Sequence, residues 1–265
     1  MVQIVVFLIA HWLLSVFCQT FFLHRYGAHS MFTMSWRWGR VFHLMTFLSQ
    51  GSSYLNPRAY AFLHREHHAY SDTKRDPHSP QIYTNLFTLM LSTKKRYDDF
   101  NKRGMLPEAR LQIPPPPDWP LIDNFGRSRF SNILFGILYT LFYILYAPHW
   151  VFYLLLPVHY LMGPIHGAIV NWCGHKYGYR NFETTQTDKS KNTLIFDFLT
   201  AGELFQNNHH KYTMSPNFAV RWFEIDPTYP VIKLLEKLKI IDLGPSPQKV
   251  LYPAPDERAG SDQTN

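Results

Sequence analysis

Apolar residues along this chain gather in a few long runs, separated by stretches rich in His, Arg and Lys. Residues 1–23, MVQIVVFLIAHWLLSVFCQTFFL, carry no formally charged side chain. At helical rise they reach roughly 35 Å, enough to cross a bilayer. A signal peptide is the competing reading. It fails because no basic segment opens the run and no small-residue cleavage pattern follows it. Residues 130–147 and 149–170 are two more runs, split by Pro148, with Tyr and Trp near the split as at a membrane interface. Their lengths predict a transmembrane hairpin. Residues 41–55, VFHLMTFLSQGSSYL, are apolar but short, and they predict a buried or interfacial helix. The expectation is an all-α integral membrane protein with three spans and its amino terminus outside.

The polar stretches predict a helix beginning after Pro57, an extended connector over 106–120 with Pro114 to Pro117 consecutive, and a short mixed helix over 193–205. An amphipathic helix follows over 229–241. Residues 245–265 read as a disordered tail, leaving 1–244 as one membrane domain. Arg and Lys crowd 25–40, 58–129 and 171–249 and are absent from 1–23 and from the hairpin turn. The positive-inside bias therefore sets these stretches on the cytoplasmic side, as a cap on the membrane helices. The mean hydropathy of −0.20 hides the runs, because Tyr, Trp, Pro and His depress the average. The net charge of +7 fits nucleic acid, anionic lipid or a phosphate-bearing substrate. With membrane spans present, lipid and substrate are the expected partners, and nucleic acid is not.

Chemistry enters with the histidines. His64, His67 and His68 are spaced i, i+3, i+4 and share one helix face. His24 and His29 are i, i+5, roughly 140° apart on a regular helix. They meet one ion only if the helix ends or distorts at Gly27; otherwise each faces a different ion. His175, His209 and His210 complete eight of the fourteen histidines, all on the same expected side. Eight imidazoles are too many for one first-row ion, so two ions are predicted. The adjacent pairs His67-His68 and His209-His210 point roughly 100° apart on a helix and can serve both. His11, His159 and His166 lie in the apolar runs and read as packing residues, and His149 as interfacial. His43 and Gln50 have no partner visible in sequence. Cys18 and Cys173 form no Cys-x-x-Cys pair, which leaves out a zinc ribbon or a thiolate-held cluster. Hydrolytic zinc pairs usually include carboxylates, and Glu66 alone lies inside these clusters. An all-imidazole pair suits iron handling dioxygen, and the membrane setting points to an apolar substrate.

The three boxes, His24-x4-His29, His64-x2-His67-His68 and the segment ending His209-His210, resemble the integral-membrane fatty acid desaturases. Asn171-x3-His175 with Tyr177-Gly178-Tyr179-Arg180, Asp76-Pro77-His78 and Gly202-Glu203 are similar to the acyl-CoA delta-9 (stearoyl-CoA type) branch, in a short, bacterial-like form. The resemblance runs over roughly residues 15 to 240. It implies two non-haem iron ions, dioxygen as co-substrate, and removal of two hydrogens from a long-chain acyl thioester. It carries iron-ligand roles onto His24, His29, His64, His67, His68, His175, His209 and His210, with Asn171 holding a metal-bound water. Arg65 and Lys94-Lys95-Arg96 would meet the phosphates of coenzyme A. Glu66, Glu203, Asp76 and His78 would stand behind the ligands.

Two departures from the pattern follow. Gln206 stands where the third box normally begins with His, as in front-end desaturases, and implies a weaker oxygen ligand or a held water. The first apolar run corresponds to the family's second membrane helix, so the first is expected to be missing. No His-Pro-Gly-Gly segment is present, so electrons are expected from a separate ferredoxin or cytochrome-b5-like protein with its reductase. The inner membrane is the expected location if the source is bacterial. A lipid hydroxylase or ketolase of the same superfamily, and a non-catalytic haem- or metal-handling membrane protein, are the alternatives. The last predicts its histidines at mid-membrane depth.

Overall fold

The computed structural model describes residues 1–194 and 197–253. Helix dominates, as expected. In chain order the α-helices are α1 (Val2–Cys18), α2 (Trp36–Gln50), α3 (Pro57–Tyr70), α4 (Leu86–Asn101), α5 (Pro120–Gly126), α6 (Arg129–Tyr146), α7 (Leu156–Tyr160), α8 (Met162–Lys176), α9 (Asp197–Thr200), α10 (Gln206–Lys211) and α11 (Thr228–Lys237). One small antiparallel ladder joins β1 (Thr33–Met34) to β2 (Ile241–Asp242), pairing Thr33 with Asp242. Local chemistry sets the helix starts. Asn56 accepts from the Ala59 amide at 2.9 Å, with Pro57 in the first turn, where its missing N–H costs nothing. Asn85 and Ser128 cap α4 and α6 in the same way.

Among the described residues two helices are long and apolar enough to cross a membrane: Val2–Ala28 and Arg129–Tyr146. Val5, Val6, Ile9, Leu13 and Leu14 of the first and Ile133, Ile137, Leu141 and Ile144 of the second are exposed. Apolar surface of that extent needs a bilayer or another protein to cover it. The third run is not the straight span expected. Trp150–Tyr160 and Met162–Lys176 meet at 71°, a broken span or a re-entrant loop. The Gly51-Ser52-Ser53 turn explains the break. Ser52 Oγ donates to the Tyr160 carbonyl at 3.1 Å and Ser53 Oγ accepts from the Gly163 amide at 3.0 Å. Those hydroxyls satisfy backbone groups that the bend frees, which an apolar surrounding demands.

His11 and His159 are buried against each other, as packing residues. His43 and Gln50 do find partners. His43 Nε2 lies 2.9 Å from Asp123 Oδ1, and Gln50 Oε1 accepts from the Leu55 amide at 2.9 Å. The expected helix over 193–205 shrinks to Asp197–Thr200, because Asn192 pairs in extended form with both Tyr179 and Phe205. The tail is not free over residues 245–253. Tyr212 donates to the Leu251 carbonyl at 3.2 Å, and the Tyr252 ring packs on Phe182. Residues 254–265, the remainder of the expected tail, lie outside the described residues.

Candidate metal centre

Three elements deliver most of the imidazoles to one place. The first is a π-helical continuation of α1 over Gln19–Ala28. The His29 amide donates to the His24 carbonyl at 3.0 Å, an i→i+5 bond. This wider turn brings two imidazoles five residues apart within 4.9 Å, ring to ring. The helix is therefore distorted over its whole last stretch and does not end at Gly27. Gly27 fits there because a Cβ would stand 3.1 Å from the Phe22 carbonyl oxygen. The second element is α3, whose i, i+3, i+4 face carries His64, His67 and His68. The third is α10, held by Asn207 and Asn208, whose side-chain amides bond the 181–182 backbone, Asn181, Asn192 and the Phe218 carbonyl.

His24, His29, His64, His68 and His209 form one set, with a ligand nitrogen of each within 4.8 Å of the others. Their Nε2 atoms run in a chain: His24 to His209 at 3.0 Å, His209 to His68 at 3.0 Å, His68 to His64 at 2.9 Å and His64 to His29 at 2.8 Å. Two imidazole nitrogens bound at right angles to one ion, with bonds of roughly 2.0–2.1 Å, stand roughly 2.9 Å apart. The observed spacing fits that arrangement. His67, His175 and His210 form the second set. The Nε2 atom of each is buried and without a hydrogen-bond partner. An orphaned buried nitrogen is costly, and three converging ones fit a metal ligand set. The pairs His67-His68 and His209-His210 each divide between the two sets, as their angular offset predicts.

Carboxylates back the imidazoles. His67 Nδ1 lies 2.8 Å from Asp76, His175 Nδ1 2.8 Å from Asp72, His210 Nδ1 3.1 Å from Asp188, and His24 Nδ1 2.6 Å from Glu203. Such contacts fix the tautomer that leaves Nε2 free for a metal. Thr20 donates to the other oxygen of Glu203. Gly202 precedes it because, at φ +95°, a Cβ would collide with Asp226. Glu203 and Asp76, expected behind the ligands, lie against His24 and His67. Asp72 and Asp188 carry no local signal in the sequence: Asp188 stands 22 residues from the imidazole it meets. Burial, with the neighbouring imidazoles adding to it, holds His29, His64, His68 and His209 well below the ordinary 6.5. His67 is held low chiefly by burial too. These rings therefore stay neutral, the form that binds metal. Burial opposes ionisation of Asp72, but hydrogen bonds from His175, Ser79 and the Lys189 amide outweigh it and hold the carboxyl at about 2.

The remaining expected residues divide. Asn171 lies one turn before His175 on α8, and Gln206 one turn before the imidazoles of α10. Gln206 Nε2 donates to the Glu203 carbonyl at 2.6 Å. A Cβ on Gly174 would stand 2.4 Å from Gln206 Cγ, so that glycine makes room for it. His78 does not hydrogen-bond a ligand. Its ring lies 4.3 Å from that of His67, tilted by 41°, and both its nitrogens are buried without partners. Glu66 does not orient an imidazole; it grips Arg96 through two bonds of 2.7 and 2.6 Å, because its place on α3 faces α4. That pairing also occupies Arg96. Arg65 is buried and spends its guanidinium on four backbone carbonyls, those of Gly27, Ala28, Leu111 and Pro114. It clamps the π-helix end to the connector through Nε, Nη1 and Nη2. Lys94 and Lys95 are exposed, Lys94 pairing with Asp98 at 2.5 Å.

A cavity of about 840 Å³ opens beside the centre. His64, His78, Asn171, Gln206 and Glu203 line it, along with apolar Leu55, Leu63, Leu161, Pro164 and Val170 and the cations Lys94, Lys102, Arg127 and Arg129. Lys94 and Lys102 share Asp98, and Arg127 donates to the Asn101 carbonyl at 2.8 Å, which gathers three of those cations around the end of α4.

Known proteins are similar to this chain. A sequence model of the fatty acid desaturase family matches residues 2–237. The chain is similar to the hex-5-enoyl-[acyl-carrier protein] acetylenase of Moorena producens, 26% identical over 88% of this chain and 74% of that protein. The acyl-CoA 5-desaturase of Anemone leveillei is 28% identical, over 66% of this chain and only 51% of its own length. The sn-1 stearoyl-lipid 9-desaturase of Anabaena variabilis is 26% identical, over 87% of this chain and 79% of its own. The chain belongs to the fatty acid desaturase family and is an oxidoreductase acting on fatty acyl substrates.

Proposed function

We propose that residues 1–244 form one membrane-embedded desaturase unit that introduces a double bond, delta-9 in type, into a long-chain acyl-CoA. The single observation behind this reading is the convergence of eight imidazoles, as a five and a three, beside a cavity with apolar walls. An iron ion in each set would supply dioxygen activation, with two electrons from a separate donor protein, to remove two hydrogens from the chain. The protein's own residues do the rest. The leucines and valine of the cavity hold the acyl chain and keep water out. Neutral imidazoles, kept so by burial, remain available as ligands. Asp76, Asp72 and Asp188 hold the Nδ1 protons of their partners, and Glu203 lies against Nδ1 of His24. Asn171 and Gln206 offer amide groups to a metal-bound water. Lys94, Lys102, Arg127 and Arg129 provide the positive rim for the phosphates of the carrier, while Arg65 and Arg96 are engaged by backbone carbonyls and by Glu66.

The stearoyl 9-desaturase relatives support the delta-9 reading, and the charged rim supports coenzyme A over a neutral lipid. The crowding of Arg and Lys around the centre supports a cytoplasmic site on a multi-pass protein, where a ferredoxin or cytochrome-b5-like donor would reach it. Expression in a desaturase-deficient host, followed by fatty acid analysis, tests the reading. New delta-9 monounsaturated acids are expected. Unchanged lipids from a protein loaded with two irons and supplied with a competent donor would overturn it.

A further inference from the structure

The carboxylates behind the two imidazole sets are unequal, and so is the charge. Each member of the three-imidazole set has its own: Asp76 on His67, Asp72 on His175 and Asp188 on His210. All three carboxylates are buried. Among the described residues no Lys or Arg side chain bonds any of them; their other partners are hydroxyls and backbone amides, such as Ser79 and the Lys189 amide on Asp72. Three buried carboxylates therefore flank that position, none of them paired with a Lys or Arg side chain among the described residues.

The five-imidazole set has a different balance. Among the described residues Glu203 is the one carboxylate that touches one of its rings, that of His24. Behind it lies Arg25, fully buried, paired with Asp226 at 2.7 Å and stacked 4.0 Å over Phe218, whose ring packs 4.5 Å from His209. Arg65 holds the carbonyls of Gly27 and Ala28, beside His29. Burial pushes Asp197, the next carboxyl in this region, up to about 8, so it is largely protonated at neutral pH and adds little charge. Glu203 and Asp226 are thus matched by Arg25 and Arg65. A ferric ion carries one more positive charge than a ferrous ion, so nearby fixed negative charge favours the ferric state.

We propose that the two metal positions are redox-inequivalent. The position of His67, His175 and His210 keeps the ferric state to the lower potential, and Asp72, Asp76 and Asp188 are the positioning residues that set this order. The proposal rests on the reading that each position takes iron. From the diferric state, one electron from a mediated reductant such as dithionite makes the ion of the five-imidazole set ferrous, and a second electron then makes the other ferrous.

The test uses the full chain in detergent, loaded with ⁵⁷Fe and titrated anaerobically with dithionite and mediators, while Mössbauer and EPR spectra follow each ion. Two separate one-electron steps are expected, with a ferric–ferrous pair at the half-way point. Asp72→Asn removes one charge and is expected to raise the lower-potential step while leaving the upper one in place, which narrows the gap. Asp188→Asn is expected to do the same and serves if Asp72→Asn loads poorly. Glu203→Gln is expected to raise the upper step and widen the gap. A single unresolved step, or aspartate variants that hold two irons with both steps unmoved or moved equally, would overturn the proposal. A wild-type chain that takes no iron would instead overturn the reading beneath it.

Discussion

His11 and His159 meet Nδ1 to Nδ1 at 2.7 Å across 148 residues of chain, and their surroundings dictate which ring donates. His11 Nε2 lies 2.8 Å from the Ser49 carbonyl, which can only accept, so His11 carries its proton there and its Nδ1 is bare. His159 must then donate from Nδ1, and its Nε2 accepts from Tyr143 at 2.9 Å. Both rings are neutral, and the network ties α1, α2, α6 and α7 together. Tyr143→Phe is expected to cost about 1 kcal/mol, and His159→Phe about 1–3 kcal/mol, because the latter leaves buried polar groups unpaired. Unfolding in detergent measures both. Metal content should stay at the wild-type level, which separates this network from the metal centre.

His67→Ala removes one member of the three-imidazole set and none of the five. The expected result is a folded protein that holds about half the wild-type iron and has lost desaturation. His29→Ala should remove the other half. Metal analysis alongside circular dichroism checks each; full activity in His67→Ala would take that residue out of the site.

Arg65 discriminates between two roles. As a clamp on four carbonyls, its change to Lys should destabilise the protein by about 2–3 kcal/mol, since an ammonium cannot reproduce the planar fork of donors. The KM for acyl-CoA should be unchanged. As a phosphate contact it would do the reverse, raising KM with stability intact. Lys102→Ala, on the cavity rim, is expected to raise KM.

The metal-free protein should lose stability on acidification. The folded pKa values of His29, His64, His67, His68 and His209 lie well below 6.5. A depressed pKa contributes stability that is complete above the unfolded value and is lost as pH falls through the folded one. The loss therefore begins near pH 6.5 and deepens below it. Asp72 adds a further loss as pH falls from its ordinary 3.8 toward about 2. Chemical denaturation of the apo chain between pH 8 and 5 measures the first effect; a flat profile would contradict it.

Much of the centre is legible in the sequence, and the reason is local geometry. His64, His67 and His68 need only an α-helix to share a face, and His67-His68 needs only a helix to divide between the two imidazole sets. His24 and His29 are legible as candidate ligands, but their route is not: an α-helix separates them, and the π-turns over Gln19–Ala28 depend on the packing around that segment. What escapes the sequence depends on long-range contact. Asp188 meets His210, and Asp72 meets His175, only because the loops fold back. Arg65 resembles a phosphate ligand in charge and place, yet the same place buries it under the 106–120 connector. The straight third span fails for a similar reason. Ser52 and Ser53 lie more than a hundred residues ahead of the break they satisfy, so the run's composition alone cannot reveal it.

The most direct test of the account is product analysis on the purified protein. The chain, loaded anaerobically with iron, is given stearoyl-CoA, dioxygen and a reduced one-electron donor protein, and the acyl chains are analysed by mass spectrometry. About two irons per chain without a haem absorption band are expected, together with a monounsaturated product that requires dioxygen and disappears in His67→Ala. Two irons that the donor reduces and dioxygen reoxidises, with every acyl chain tested left saturated, would contradict it.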